Sequence, residues 1–340
     1  MLSAVVSSAL VLVVAATSVE PRRPGQDSFL TRAVFADARV WMRSDAGIVF
    51  SVSEGEAQRR EEAVPGVALD LCARRGHLLV LTSASASLTI SRRDTNTWVP
   101  EASLEAPDAV IGMYCTPEAV TVVTATQAFV IRGGKTNTVA FSRPLRGGLA
   151  SSLHVEGDQL FAGVNRGEFG GGMLRADLKT GRVTTIDRRS GELCGGPLNA
   201  DCDPVHGIAS APWKPGCVVA AIGLVHFLSH GRLVEICGDD VQTLLSRPFS
   251  PGSAGGTSRE DISSVAFFGV ARAGDAVLAA GNDGLYRVSS KRIDREPLPK
   301  FRDVGGIKVS FDIAGFVLVL TDVNSRKSVS GSVPLLVPRE

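Results

Sequence analysis

The stretch "DAVLAAGNDGLYRV" (275–288) decides how this chain is read. A run of small and branched apolar residues meets "NDG", a residue set suited to a type I′ hairpin turn, and a second short apolar run follows. Six further stretches share this pattern: "ARVWMRSDAGIVFSV" (38–52), "GHLLVLTSASASLTI" (76–90), "EAVTVVTATQAFVI" (118–131), "DQLFAGVNRG" (158–167), "GCVVAAIGLVHFL" (216–228) and "GFVLVLTD" (315–322). Their first large apolar residues are Val40, Leu78, Val120, Leu160, Val218, Val277 and Val317, at steps of 38, 42, 40, 58, 59 and 40 residues. A period near 40 built from short strands is the signature of propeller blades.

The flanks supply four strands per copy, called A to D from the axis outward. In the fourth copy these are "SSLHVEGD", "QLFAGVN", "GGMLRADLKTG" and "GRVTTIDRR"; in the sixth, "ISSVAFFGVARAGD", "AVLAAGN", "DGLYRVSS" and "KRIDREPLP". No long stretch shows capped 3.6-residue periodicity. The expectation is an all-β, seven-bladed propeller of four-stranded antiparallel blades over residues 30–340, six blades being the alternative because the first and last copies are the least regular. Within this pattern, "AAGNDGLYRVSS" (279–290) and "LFAGVN…GGGMLRADLKTGRVTTIDR" (160–187) resemble bacterial propellers of the two-component-regulator and YVTN type. That resemblance implies the fold and no particular activity, since propellers host binding modules and enzymes alike.

Composition narrows the partners. The chain of 340 residues is 44% hydrophobic with a formal net charge of +1, so it offers no basic excess for nucleic acid. Residues 1–18, "MLSAVVSSALVLVVAATS", are short for a membrane span and suit a signal-peptide core, although their N-terminal end carries no Lys or Arg. The alternative is an uncleaved anchor. Residues 19–29 read as a linker, and the mature chain is expected to be secreted or periplasmic with no stable membrane span.

The two long steps place insertions at 188–205 and 238–261, both read as D-to-A connections. A third irregularity is the B–C turn "NRGEFGGG" (165–172). D–A and B–C connections emerge on the same face, so the three should crowd one face over blades 4 to 6. Binding residues concentrate where loops depart from a repeat. The candidate ligand-binding face is therefore Asn165, Arg166, Glu168, Phe169, Asp201, Asp203, His206, Asp239 and Asp240, with a protein or carbohydrate as partner. His206 is the candidate catalytic residue if the chain is instead a lyase or hydrolase, acting as a base beside carboxylates. No G-x-S-x-G, P-loop or H-E-x-x-H is present.

"CGGPLNADCDPVHG" (194–207) admits three chemistries. A Cys194–Cys202 disulfide closing the loop is favoured in an exported chain, with Cys237, read as the end of a D strand, as a rival partner for either. Zinc on Cys194, Cys202 and His206 has no familiar spacing. Calcium on Asp201 and Asp203 competes with ordinary Asx turns. No cofactor is expected. Cys72 and Cys115 read as equivalent positions one period apart, hence as separate buried thiols, and Cys217 as poorly placed to reach Cys237.

Overall fold

A computed structural model describes residues 30–338 except 57–58, 85–86, 107, 146–149, 193, 227, 250–262, 298–306, 314–315 and 326–327. The expectations for residues 1–29 lie outside the described residues. Strands follow one another in the order read from the repeats. Blade 1 contains β1 (Leu30–Ala36), β2 (Arg39–Ser44), β3 (Val49–Ser53) and β4 (Arg60–Glu62). Blade 2 contains β5 (Val67–Arg74), β6 (His77–Ala84), β7 (Ser87–Asp94) and β8 (Thr97–Glu105). Blade 3 contains β9 (Val110–Cys115), β10 (Val120–Thr124), β11 (Gln127–Arg132) and β12 (Lys135–Ala140).

Blade 4 is β13 (Ala150–Glu156), β14 (Gln159–Val164), β15 (Met173–Asp177) and β16 (Val183–Ile186). Blade 5 is β17 (Val205–Ser210), β18 (Cys217–His226), β19 (Leu228–Cys237) and β20 (Asp240–Leu245). Blade 6 is β21 (Phe267–Ala273), β22 (Ala276–Gly281), β23 (Gly284–Val288) and β24 (Ile293–Glu296). These six sheets each have four strands paired in sequence order and antiparallel. The seventh sheet, β25 (Ile307–Ile313), β26 (Phe316–Ser325) and β27 (Ser328–Pro338), has three. Each inner strand lies against the next, and β25 lies against β1, which closes the ring.

Apolar residues alternate onto both faces of each blade, because a blade is covered by a neighbour on either side. Phe161, Met173, Val218, Ile222 and Val234 fill the seam between blades 4 and 5, joined there by Leu198 from the connecting loop, which has no exposed surface. Phe267, Tyr286, Val219 and Val277 fill the next seam.

Blade 5 departs from the expected assignment. Its B–C hairpin is long, and Cys237 ends strand C, not strand D. Strand D is Asp240–Leu245, inside the segment read as an insertion. Asp239 and Asp240 therefore sit at a C–D turn, on the face opposite the loops. There Arg175 of blade 4 donates to the Gly238 carbonyl (2.8 Å) and to Asp239 (2.7 Å).

The cysteines correct two further readings. Cys72 and Cys115 are joined, as are Cys217 and Cys237. Leu78 pairs with Ala73, whereas the equivalent Val120 pairs with Cys115. Cys115 thus corresponds to Ala73, and a register offset of one turns a side chain to the opposite face. Cys72 and Cys115 accordingly meet between blades 2 and 3. Cys217 and Cys237 are direct cross-strand partners on β18 and β19.

Candidate functional site

The face carrying the D–A and B–C connections is stitched together over blades 4 to 6. The 187–204 connection folds back on itself through paired Arg188 and Leu198 backbones and the Cys194–Cys202 disulfide. The B–C turn of blade 4 docks onto it: Gly171 N–H donates to the Ala200 carbonyl (2.9 Å) and Gly172 N–H to that of Asp203 (2.7 Å). Gly170 has φ +98°, and a Cβ there would collide with the Asp201 carbonyl. Glycine is therefore required for this approach. On the other side, Ser264 bonds the Gly231 backbone and Ser229, and Asn282 of blade 6 donates to the Ser229 hydroxyl (2.9 Å).

Asp203 is the centre of this construction and not part of the surface. It has no exposed area, accepts the Asn199 N–H (2.6 Å) and pairs with Arg232, itself buried in strand C of blade 5. Arg232 donates from Nε to the Pro197 carbonyl (2.7 Å) and from Nη2 to that of Gly196 (3.0 Å). Its Nη1 lies 3.0 Å from His230 Nε2, which must accept, since a guanidinium only donates. One buried cation thus gathers two carbonyls of the disulfide loop and the Asp203 carboxylate beside it. Arg232 is not among the candidate residues of the sequence analysis. An arginine flanked by "LVEI" in a covered strand was the available signal, because buried arginines are nearly always paired.

His206 stands at the start of β17. Its Nε2 donates to the Gly223 carbonyl (2.6 Å), which fixes the tautomer, and Nδ1 is 3.4 Å from the Asn165 amide. Asn165 Oδ1 accepts the Gly167 N–H (2.8 Å), and the ring packs edge-to-face on Phe268 (5.2 Å). Burial pushes the imidazole below its ordinary value, the Gly223 bond partly opposing. Both nitrogens are thus engaged in positioning the blade 4 turn. Asp201 is exposed and paired with Arg189, which also holds Asp187 (2.5 Å). The two thiols of the zinc reading are consumed by their disulfide, and the two carboxylates of the calcium reading are separated, one at the surface and one in the core.

Glu168 and Phe169 occupy a short 3-10 turn, Gly167–Phe169. Phe169 is 73% exposed, the most exposed large apolar residue on this face among the described residues. Arg166, at the start of the turn, has a buried Nε with no hydrogen-bond partner.

A second polar cluster lies at the other end of the inner strands. Tyr114, His154 and Ser210, from blades 3, 4 and 5, form a chain: Tyr114 Oη to His154 Nδ1 is 3.0 Å and His154 Nε2 to Ser210 Oγ is 3.2 Å. Ser210 also donates to Glu156. The carboxylate can only accept, so the serine proton points to Glu156, Nε2 donates to Ser210, and Nδ1 accepts from Tyr114. This is the reverse of a nucleophile–base pair, in which the serine proton faces the imidazole. Burial lowers the His154 pKa, with Glu156 opposing.

Among the described residues no group of three or more His, Cys, Asp or Glu is placed to hold a metal ion, and no helix is long and apolar enough to cross a membrane. No family model matches the chain, and no curated protein matches its sequence. Its fold is similar to that of YCF48 from Cyanidioschyzon merolae (TM-score 0.54, 14% identity, over 91% of this chain and 95% of that one). It is also similar to the extracellular domain of BT4673 from B. thetaiotaomicron (TM-score 0.53, 13% identity, over 89% of this chain). The chain spans 39% of that domain's length. The molecule is a β-propeller, and the likeness at these identities is one of fold.

Proposed function

We propose that this chain is an exported, non-catalytic propeller, secreted or periplasmic, that binds a protein or glycan through the loop face over blades 4 to 6. The observation that carries the reading is Phe169. An exposed aromatic ring is held on a turn whose backbone is fixed by the disulfide-closed loop beside it. A large apolar side chain presented on a rigid support is the usual anchor of an interface. Asn165, Arg166, Glu168 and Asp201 surround it as polar rim; Asp203 supports from beneath, and Asp239 and Asp240 belong to the opposite face. Three disulfides support an oxidising compartment, as does a fold shared with an extracellular domain. The engagement of both His206 nitrogens supports binding over catalysis.

The test is a glycan array and a crosslinking screen of extracellular proteins, run with wild type and Phe169→Ala. The expected result is one ligand class whose affinity falls about thirtyfold in the variant, the roughly 2 kcal/mol of an aromatic anchor. Turnover of any substrate that is abolished by His206→Ala, or ligand binding indifferent to Phe169, overturns the reading in favour of a propeller lyase or hydrolase.

A further inference from the structure

On the opposite face, the seam between blades 1 and 2 opens into a cavity of about 520 Å³. That is ample for a small molecule. Its border is formed by regular hairpin turns with no insertion. Asp37 and Ala38 turn blade 1 from A to B with φ 50° and 57°, Arg75 and Gly76 do the same in blade 2 with φ 51° and 83°, and Thr95 adopts φ 51° between C and D. The two A–B turns are tied by Asp37 N–H donating to the Gly76 carbonyl (2.9 Å), and His77 Nδ1 sits 3.0 Å from Asp37. The walls are therefore preorganised.

Three guanidinium groups line the cavity, those of Arg39, Arg60 and Arg93, alongside Trp41, Glu62 and Asn96. Arg93 stacks on Trp41 (5.7 Å) and on Trp98 (5.1 Å), and Arg39 stacks on the Trp41 ring (5.9 Å). The Trp41 Nε1 is spent on the Ala36 carbonyl (3.0 Å). The stacking fixes the arginine planes but uses none of their N–H donors. The Nε atoms of Arg39 and Arg93 are buried and have no hydrogen-bond partner. Glu56 accepts one bond from Arg39 (3.2 Å) and one from Arg60 (2.7 Å), and Arg93 approaches Glu62 at 3.6 Å. The Asp37 and Glu62 acceptors, by contrast, are occupied. Asp37 takes His77 and the Leu78 N–H (3.1 Å), and Glu62 takes the Ser51 hydroxyl (2.5 Å).

A cavity with surplus fork-shaped donors suits a planar acceptor, which a carboxylate presents to guanidinium. Among the lining residues Asp37, Glu62 and Asp94 match the three arginines in formal charge, and Glu56 pairs with two of those arginines, so the site takes at most one added negative charge. Thr95 and Asn96 extend the wall with neutral hydrogen-bonding groups, which suits a hydroxylated body over an apolar one. We propose that this seam is a binding site for a small hydroxylated monocarboxylate, the chemistry of a sugar acid. It is independent of the loop face.

Isothermal titration of the full chain with D-glucuronate, D-glucose and inorganic phosphate tests it. The expected result is one glucuronate per chain, with glucose and phosphate each bound at least tenfold more weakly. Arg39→Gln with Arg60→Gln, both at partly exposed positions, should weaken glucuronate at least tenfold with an unchanged circular dichroism spectrum. Arg93→Lys, which keeps the charge and removes the fork, should weaken it as well. Phe169→Ala should leave it unchanged. Glucuronate binding that is absent, no stronger than glucose, weaker than phosphate, or intact in the double variant overturns the proposal.

Discussion

The connection between blades 4 and 5 and the seam between blades 1 and 2 make opposite use of charge. The first is rich in reactive residues, and nearly all are committed to one another: Asp203 to Arg232, Asp201 to Arg189, His206 to Gly223, Cys194 to Cys202. The second is built from plain repeat turns, yet leaves guanidinium donors unpaired against a cavity. An irregular loop must satisfy its own backbone and bury its polar groups, so its conspicuous side chains are consumed in holding it. A hairpin turn satisfies its backbone locally, so its side chains remain available.

That contrast can be broken first at Asp203. Asp203→Ala should cost about 3–5 kcal/mol in urea unfolding, because it strands a buried guanidinium, and Arg232→Met added to it should recover part of the loss. A smaller cost for the single change would mean the pair is not the keystone of the loop. Next come the disulfides. Replacing Cys72 and Cys115 by alanine should cost about 4 kcal/mol and replacing Cys194 and Cys202 about 2.5 kcal/mol by the chain-entropy argument, since the first closes a far longer loop, 43 residues against 8. Equal losses would show that the short bridge acts mainly in the folded state.

The histidines sharpen the comparison by pH. His154 and His206 both lie below their ordinary 6.5 in the folded chain because of burial. Below pH 6.5 the unfolded chain takes up protons that the folded chain refuses, so stability should fall as pH drops from there, until the folded rings titrate. Urea midpoints at pH 7.5 and 5.5 measure this, and His206→Asn should reduce the slope. A slope unaffected by His206→Asn and His154→Gln would locate the titration elsewhere. The smallest stability effect belongs to Phe169→Ala, within about 0.5 kcal/mol, since the ring is largely in solvent. A larger loss would mean that it packs onto the loop and is no free anchor.

The repeat made the blades legible. Strands B and C of blades 4 and 6 lie where alternation and turn residues put them, because a hairpin is a local structure. Blade 5 departs from the expected pattern by one strand because its B–C hairpin is unusually long and "SHG" (229–231), inside strand C, imitates a turn signal. That shift carried Asp239 and Asp240 to the wrong face. The address of the loop face was readable from the repeat spacing. The seam cavity was not, because Arg39, Arg60 and Arg93 are separated along the chain and look like ordinary exposed-strand arginines.

By itself, then, the sequence determined the all-β repeat, the positions of the irregular connections and the supply of cysteines. Tertiary structure decided which cysteines meet, which carboxylates are buried and where donors are left over. Hairpins depend on neighbours a few residues apart. Disulfides between blades, the Arg232–Asp203 pair and the seam cavity depend on strand register and on the packing of one blade against the next, where an offset of one residue reverses the side a residue faces.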